Sequence, residues 1–109
     1  MEQVLINLLV NARDALLEQG RAQPWIRVRQ VLEGQCLCLL VDDNAGGIDP
    51  HLHARIFEPF FTTKPAGVGT GLGLSVSHGI VAHMGGRLTV SNAGEGACFR
   101  IELPLHSTS

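Results

Sequence analysis

Asn7 and Asn11 stand four residues apart, a spacing that puts both carboxamides on one face of a helix, with Asp14 further along it. Amide oxygens are hard, neutral ligands suited to Mg²⁺, which takes few protein groups and shares its shell with water and substrate phosphates. A solvated polar stripe would show the same spacing. Asp42-Asp43-Asn44-Ala45-Gly46-Gly47-Ile48 directly follows an apolar run. A carboxylate at a strand end can accept a hydrogen bond from an exocyclic amine, and glycines let a flat ring approach the backbone. An ordinary turn fits these letters too, whereas an EF-hand does not, because its ligand spacing and closing glutamate are missing.

Gly67-Val68-Gly69-Thr70-Gly71-Leu72-Gly73-Leu74 is a glycine ladder running into a helical pattern. Successive backbone N–H groups at a helix start make an anion site suited to a triphosphate. No Gly-Lys-Ser/Thr follows, so it is not a P-loop, and it does not follow a strand as a dinucleotide fingerprint does. A flexible linker remains the competing reading. Between these features lies Phe57-Glu58-Pro59-Phe60-Phe61-Thr62-Thr63-Lys64. Its three aromatics suit a hydrophobic anchor for a moving segment or plain core packing, and Lys64 suits a phosphate or open solvent.

Positioning these groups requires a small set of elements. Glu2 to about Gln19 reads as a helix, with Leu5, Leu8, Leu9, Ala12 and Leu16 at three- and four-residue spacings and Gly20 as its stop. Trp25 to Val31 alternates Ile26 and Val28 against Arg27 and Arg29, predicting a half-buried strand. Gln35 to Val41 is its continuous apolar partner across a Glu33-Gly34 turn. A long loop follows from Asp42 to Gly73, with one helical turn near Leu52 to Ile56. Leu72 to Met84 predicts a second helix with Val76, Ile80 and His83 along one side and Gly85-Gly86 at its end. Arg87 to Asn92 and Ala97 to Leu103 alternate as a closing hairpin around Ala93-Gly94-Glu95-Gly96. The economical fold is a two-layer α/β (α+β) sandwich, with helices on one face of a mixed, mostly antiparallel sheet.

Composition bounds the function. The 109 residues fit one domain, 1–109, and 45% hydrophobic content fits an ordered core. A formal charge of −2, one Trp and no Tyr give neither a basic field nor a stacking surface for nucleic acid. No apolar run reaches the ~18 residues of a membrane helix, so no direct membrane contact is expected. Cys36, Cys38 and Cys98 lack zinc-finger spacing and read as buried or half-buried free thiols in a reducing cytosol. The histidines His51, His53, His78, His83 and His106 read as ordinary surface or core residues.

Together, in this order, NLLVNARDA at Asn7 to Ala15, DNAGGI at Asp43 to Ile48, FEPFFTTK at Phe57 to Lys64 and GVGTGLGLS at Gly67 to Ser75 resemble the N, G1, F and G2 boxes of sensor histidine kinase catalytic domains. These domains have the Bergerat fold of the gyrase, chaperone, kinase and mismatch-repair (GHKL) ATPases. The closing GGRLTVSNAGEGACFRIELPL resembles the family's last hairpin, so nearly the whole chain is covered. The nitrogen-regulation, oxygen-sensing and dicarboxylate-sensing branch is the most similar.

The resemblance implies ATP and Mg²⁺ as ligands. Asn11 would ligate the metal, with Asn7 close to the phosphates. Asp43 would bond the adenine amine, with Gly47 letting the base lie on the backbone and Ala45 and Ile48 beside it. Ala45 stands where the family usually has a glycine. Phe57, Pro59 and Phe60 would shape a lid, and Lys64 would meet phosphate. Gly69, Gly71 and Gly73, with Thr70 and Leu72 between them, would fold over the triphosphate. Gyrase-like relatives carry a water-polarising glutamate one turn before the metal asparagine. Asn7 holds that place here, so the resemblance implies transfer of the γ-phosphoryl group to a histidine rather than hydrolysis.

That histidine would sit on a separate dimerisation domain of the same protein, with a response regulator downstream. This chain alone is expected to be monomeric, cytoplasmic and unable to autophosphorylate, whether or not the parent protein is anchored in the inner membrane. Because it starts inside the first helix, the family's small preceding strand is expected to be missing. Two further readings stay open: a degenerate module that binds nucleotide or a partner without phosphotransfer, and a serine kinase of the anti-sigma type.

Overall fold

The computed structural model describes residues 2–20, 22–58 and 73–105. Two helices, α1 (Glu2–Gln19) and α2 (Gly73–His83), lie against four strands: β1 (Ile26–Glu33), β2 (Cys36–Asp43), β3 (Arg87–Ala93) and β4 (Gly96–Pro104). Strand order across the sheet is β1-β2-β4-β3. Every pairing among these strands is antiparallel, in line with the mostly antiparallel sheet expected from sequence. A 3-10 turn, Pro50–Leu52, interrupts the connection after β2, capped by the Asp49 carboxylate accepting from His51 N at 2.9 Å.

The core follows the helical and two-residue periods. Val4, Leu8, Ala12 and Leu16, four apart, form the buried stripe of α1. Val4 and Leu8 meet Val41, Val81, Leu88, Phe99 and Ile101 in one cluster between the helices and β2, β4 and β3. Strand β1 contributes nothing to that cluster, which explains why Ile26 and Val28 are 37% and 48% exposed rather than half-buried. Their alternation is real, but β1 is an edge strand whose side chains stay outside the core cluster.

On α2 the expected face also shifts. Ser77 and Val81 are buried, Leu74 and Ile80 pack against the core, and Val76 and His83 are exposed. Apolar residues occur on several sides of this helix, so periodicity alone could not choose among them. The helix ends in a Schellman turn, with Gly86 N donating to Val81 O at 2.9 Å and Gly85 N to Ala82 O at 3.0 Å. Gly85 takes the left-handed φ of 81° that this turn requires. Leu72, expected at the start of the helix, lies outside the described residues.

The opposite face of the sheet carries a second cluster of Cys38, Leu40 and Cys98, with Val31 and Cys36 beside it. All three cysteines are free, as their spacing implies. Arg27 and Arg29 reach across from β1 to the buried Asp42 carboxylate at 3.2 and 2.8 Å. Burial pushes the Asp42 carboxyl up, but hydrogen bonds from Arg29, Cys98 and Arg27 outweigh it and hold it below its usual value. Arg100 pairs with Glu33 and Glu102 and approaches Cys38 Sγ at 3.3 Å.

Burial and the Asp42 hydrogen bond push the Cys98 thiol from 9.0 up to about 11. A group raised on folding favours its protonated form in the native state. Its contribution is complete below the unfolded value and disappears as pH rises through the folded one. Thermal stability is therefore expected to fall between about pH 9 and about pH 11. Burial raises the Cys38 thiol as well, so it adds a loss of the same sign in this range. Melting curves across this range should flatten in Cys98→Ala; an identical fall in the variant would assign the loss elsewhere.

Candidate functional site

Adjacent residues on a strand point to opposite faces, and this separates the two aspartates that end β2. Asp42 turns to the arginines behind the sheet. Asp43, only 3% exposed, shares the helix-facing side with Val41. Its Oδ1 accepts from Ala45 N at 2.9 Å and from Ala97 N at 3.3 Å. Both bonds fall on one oxygen, so Oδ2 takes part in neither.

The loop that follows is held by two asparagines acting as surrogate backbone. Asn44 accepts from Trp25 N at 2.9 Å and donates to Gln23 O at 2.9 Å. Asn92, on β3, accepts from Ile48 N at 2.8 Å and donates to Ile48 O at 2.7 Å. Gly46 N donates to Glu95 O at 2.7 Å, tying the same loop to the β3–β4 turn. Gly47 has φ 82°, and a Cβ there would come within 2.8 Å of Asn92 Oδ1. Its bare backbone is required by its own conformation and by the Asn92 clamp. Ala45 is buried, and its methyl group is accommodated without displacing its N–H from Asp43.

On α1, Asn7 and Asn11 lie one turn apart as their spacing predicts. Asn7 Nδ2 donates to Ser77 Oγ at 3.0 Å and to Gly73 O at 3.4 Å, and its Oδ1 accepts from Gln3 Nε2 at 3.0 Å. The structure thus brings Asn7 and Gly73 together, joining α1 to the first turn of α2. Asn11 is half-buried. Phe57 sits edge-on to the core Phe99, ring centroids 6.3 Å apart, and its other side meets His78 at 5.1 Å. The first aromatic of the loop is therefore packed onto the core. Phe60, Lys64, Gly69, Thr70, Gly71 and Leu72 lie outside the described residues, as do Pro59 and Phe61.

Sequence reasoning missed four contributors: Ser77, Asn92, Gly96 and the Ala97 amide. A serine on an apolar helix is a usable signal, because a buried hydroxyl needs a partner. The others act through backbone contacts that no residue pattern announces. Among the described residues no group of three or more His, Cys, Asp or Glu side chains could hold a metal. No helix of the described residues is long and apolar enough to cross a membrane.

The sequence and the fold resemble those of known proteins. The model of the histidine kinase-, DNA gyrase B- and HSP90-like ATPase family matches residues 1–107. The two-component sensor PprA of Pseudomonas aeruginosa is 60% identical over 108 residues, covering 96% of this chain and 12% of that protein. The mycobacterial sensor histidine kinase MprB superposes with a TM-score of 0.80 at 27% identity, over 94% of this chain and 70% of that one. Full-length ShkA in complex with AMPPNP superposes with a TM-score of 0.73 at 30% identity, over 98% of this chain and 22% of that one. The chain spans 12% of the length of PprA and 17% of that of the AtoS kinase of Escherichia coli.

Proposed function

Because this chain belongs to the family of histidine kinase-, DNA gyrase B- and HSP90-like ATPases, we propose that it binds Mg-ATP and presents the γ-phosphoryl group to a histidine on a separate dimerisation domain. The observation that carries this reading is Asp43. It is a buried carboxylate with one oxygen fixed by two backbone N–H groups and the other without a hydrogen bond among the described residues, beside a loop whose Gly47 cannot carry a side chain. That donor set fits a purine amine lying flat against backbone. Ala45 and Ile48 flank the base in this reading.

Asn11 is the proposed metal ligand and Asn7 its neighbour near the phosphates. The metal would supply charge neutralisation between the phosphate oxygens. Gly73 opens α2, whose first N–H groups are in this reading free to meet a phosphate group at the helix start. Phe60, Lys64, Gly69, Thr70, Gly71 and Leu72 keep the lid and triphosphate roles that the family motifs assign to them.

In the transfer, the bond from the γ-phosphorus to its bridging oxygen breaks and a bond to the imidazole nitrogen forms. ADP leaves and the imidazole proton passes to solvent. The place on α1 where gyrase-like relatives carry a water-polarising glutamate holds no such base here. Asn7 is a carboxamide with no basic site, and its N–H groups are already directed at Ser77 and Gly73. ShkA, whose structure carries AMPPNP, supports the nucleotide assignment, and PprA, a two-component sensor, supports a response regulator as the later acceptor. The same reading places the domain on the cytoplasmic side, where ATP is.

The test is calorimetric titration with AMPPNP, with Mg²⁺ and in EDTA, on wild type and Asn11→Ala. Wild type should bind saturably. Losing a metal ligand should weaken binding about 10-fold with Mg²⁺ and little in EDTA. A folded wild type that takes up no nucleotide would leave a partner-binding module as the function.

A further inference from the structure

Ile48 closes the glycine loop that starts at Asp43, and side chains hold its backbone at both polar atoms. Asn92 Oδ1 accepts from Ile48 N at 2.8 Å, and Asn92 Nδ2 donates to Ile48 O at 2.7 Å. These partners fix which way the carboxamide points, because a backbone N–H only donates and a carbonyl oxygen only accepts. His53 Nε2 meets the same carbonyl oxygen at 3.0 Å. Among the described residues the oxygen therefore has two donors, whereas the N–H has Asn92 alone. The carboxamide also lies on the side of Gly47 from which a side chain would project, with Oδ1 2.8 Å and Cγ 3.1 Å from that point.

Across the β3–β4 hairpin, Asn92 pairs with Ala97, whose N–H donates to Asp43 Oδ1 at 3.3 Å. One cross-strand pair thus holds both the carboxylate and the far end of the loop. We propose that Asn92 is a positioning residue for base recognition. It sets the Gly47 backbone at the distance from Asp43 at which a purine lying on the glycine meets the carboxylate with its exocyclic amine. The inference rests on the nucleotide reading above and extends it to a residue on another strand that acts through the loop. A hydrogen bond weakens steeply as its angle and length depart from the optimum. Gly46 and Gly47, at φ 93° and 82°, give the loop other conformations to adopt once the clamp is gone. Without Asn92 the Ile48 N–H loses its partner, the loop shifts, and the amine no longer meets Asp43 in line.

The experiment titrates AMPPNP, and a purine riboside triphosphate lacking the exocyclic amine, into wild type, Asn92→Ala and Asn92→Leu with Mg²⁺, with melting curves for all three. Asn92 is exposed, so both variants should fold; leucine keeps the volume and makes neither bond. In each variant AMPPNP affinity should fall about 5- to 10-fold and that of the amine-free analogue less than about 2-fold. A partly unfolded variant weakens both ligands by the same factor, so the ratio of the two affinities reads positioning and not stability. Equal losses for the two ligands, or unchanged AMPPNP affinity in both variants, would overturn the positioning role while wild-type binding stands. A wild type that binds neither ligand, or does not distinguish them, would instead overturn the reading of Asp43 as the base-recognition group.

Discussion

Asp43→Asn is expected to lower affinity for Mg-AMPPNP by about 100-fold while leaving the fold intact. The change is isosteric. Oδ1 survives as an acceptor, so the bonds from Ala45 N and Ala97 N can persist. What changes is the other position, where a carboxylate oxygen becomes an NH₂ group. Facing an exocyclic amine, it sets donor against donor. Losing a hydrogen bond to a charged acceptor costs about 1.5–3 kcal/mol, and an unmet buried donor adds to it. At about 1.4 kcal/mol per factor of ten, the sum lies near two orders of magnitude. Stability should change by about 1 kcal/mol or less, because the backbone bonds remain. A purine nucleotide lacking the exocyclic amine provides the internal check. It should bind wild type poorly and discriminate little between the two proteins. Affinity of Asp43→Asn within threefold of wild type would remove Asp43 from the base-recognition role.

How much of this was legible in the residues follows from what each signal measures. Periodicity locates elements, so both helices, both hairpins and the turn at Gly94 emerge close to their observed bounds. Burial is harder. Ile26 and Val28 alternate as a half-buried strand should, yet β1 is an edge strand outside the core cluster, and strand order is a tertiary fact. Asp42 and Asp43 are indistinguishable as letters. The two-residue period alone sends one to the arginines behind the sheet and the other toward Ala97. Motif spacing singled out Asn7, Asn11, Asp43 and Gly47 as candidates. It could not show that Asn7 is held by Ser77, or that Asn92 grips Ile48 at both its N–H and its C=O, because both bonds join segments more than 40 residues apart. Side chains that serve as substitute backbone leave no composition signature.

Gly96→Ala is expected to be among the most damaging single-methyl additions in the chain. A Cβ at Gly96 would lie 1.8 Å from Asp43 O, 2.5 Å from Asp43 C and 2.8 Å from Asp43 Oδ1. No rotamer relieves this, because two of the three atoms are backbone. Nor can Asp43 retreat freely, since it pairs with Ile26 on β1 while Asp42 beside it pairs with Cys98 on β4. The start of β4 must therefore lift away from β2. That strains the Ala97 N to Asp43 Oδ1 bond and the Gly46 N to Glu95 O bond, which together hold the loop beside Asp43. Overpacking of about 1–3 kcal/mol and two weakened hydrogen bonds of about 1 kcal/mol each predict a loss of about 3 kcal/mol or more in chemical denaturation. AMPPNP affinity should fall as well, by about 10-fold, because the carboxylate loses its second anchor. Gly94→Ala is the control, two residues away in the same turn. Gly94 has φ 58° with nothing within 4 Å of its would-be Cβ. Alanine there pays only backbone strain of about 1–2 kcal/mol and should leave nucleotide binding unchanged. If both variants lose similar stability and neither loses affinity, Gly96 is merely a turn residue. If only Gly96→Ala loses both, its missing side chain is part of how Asp43 is held.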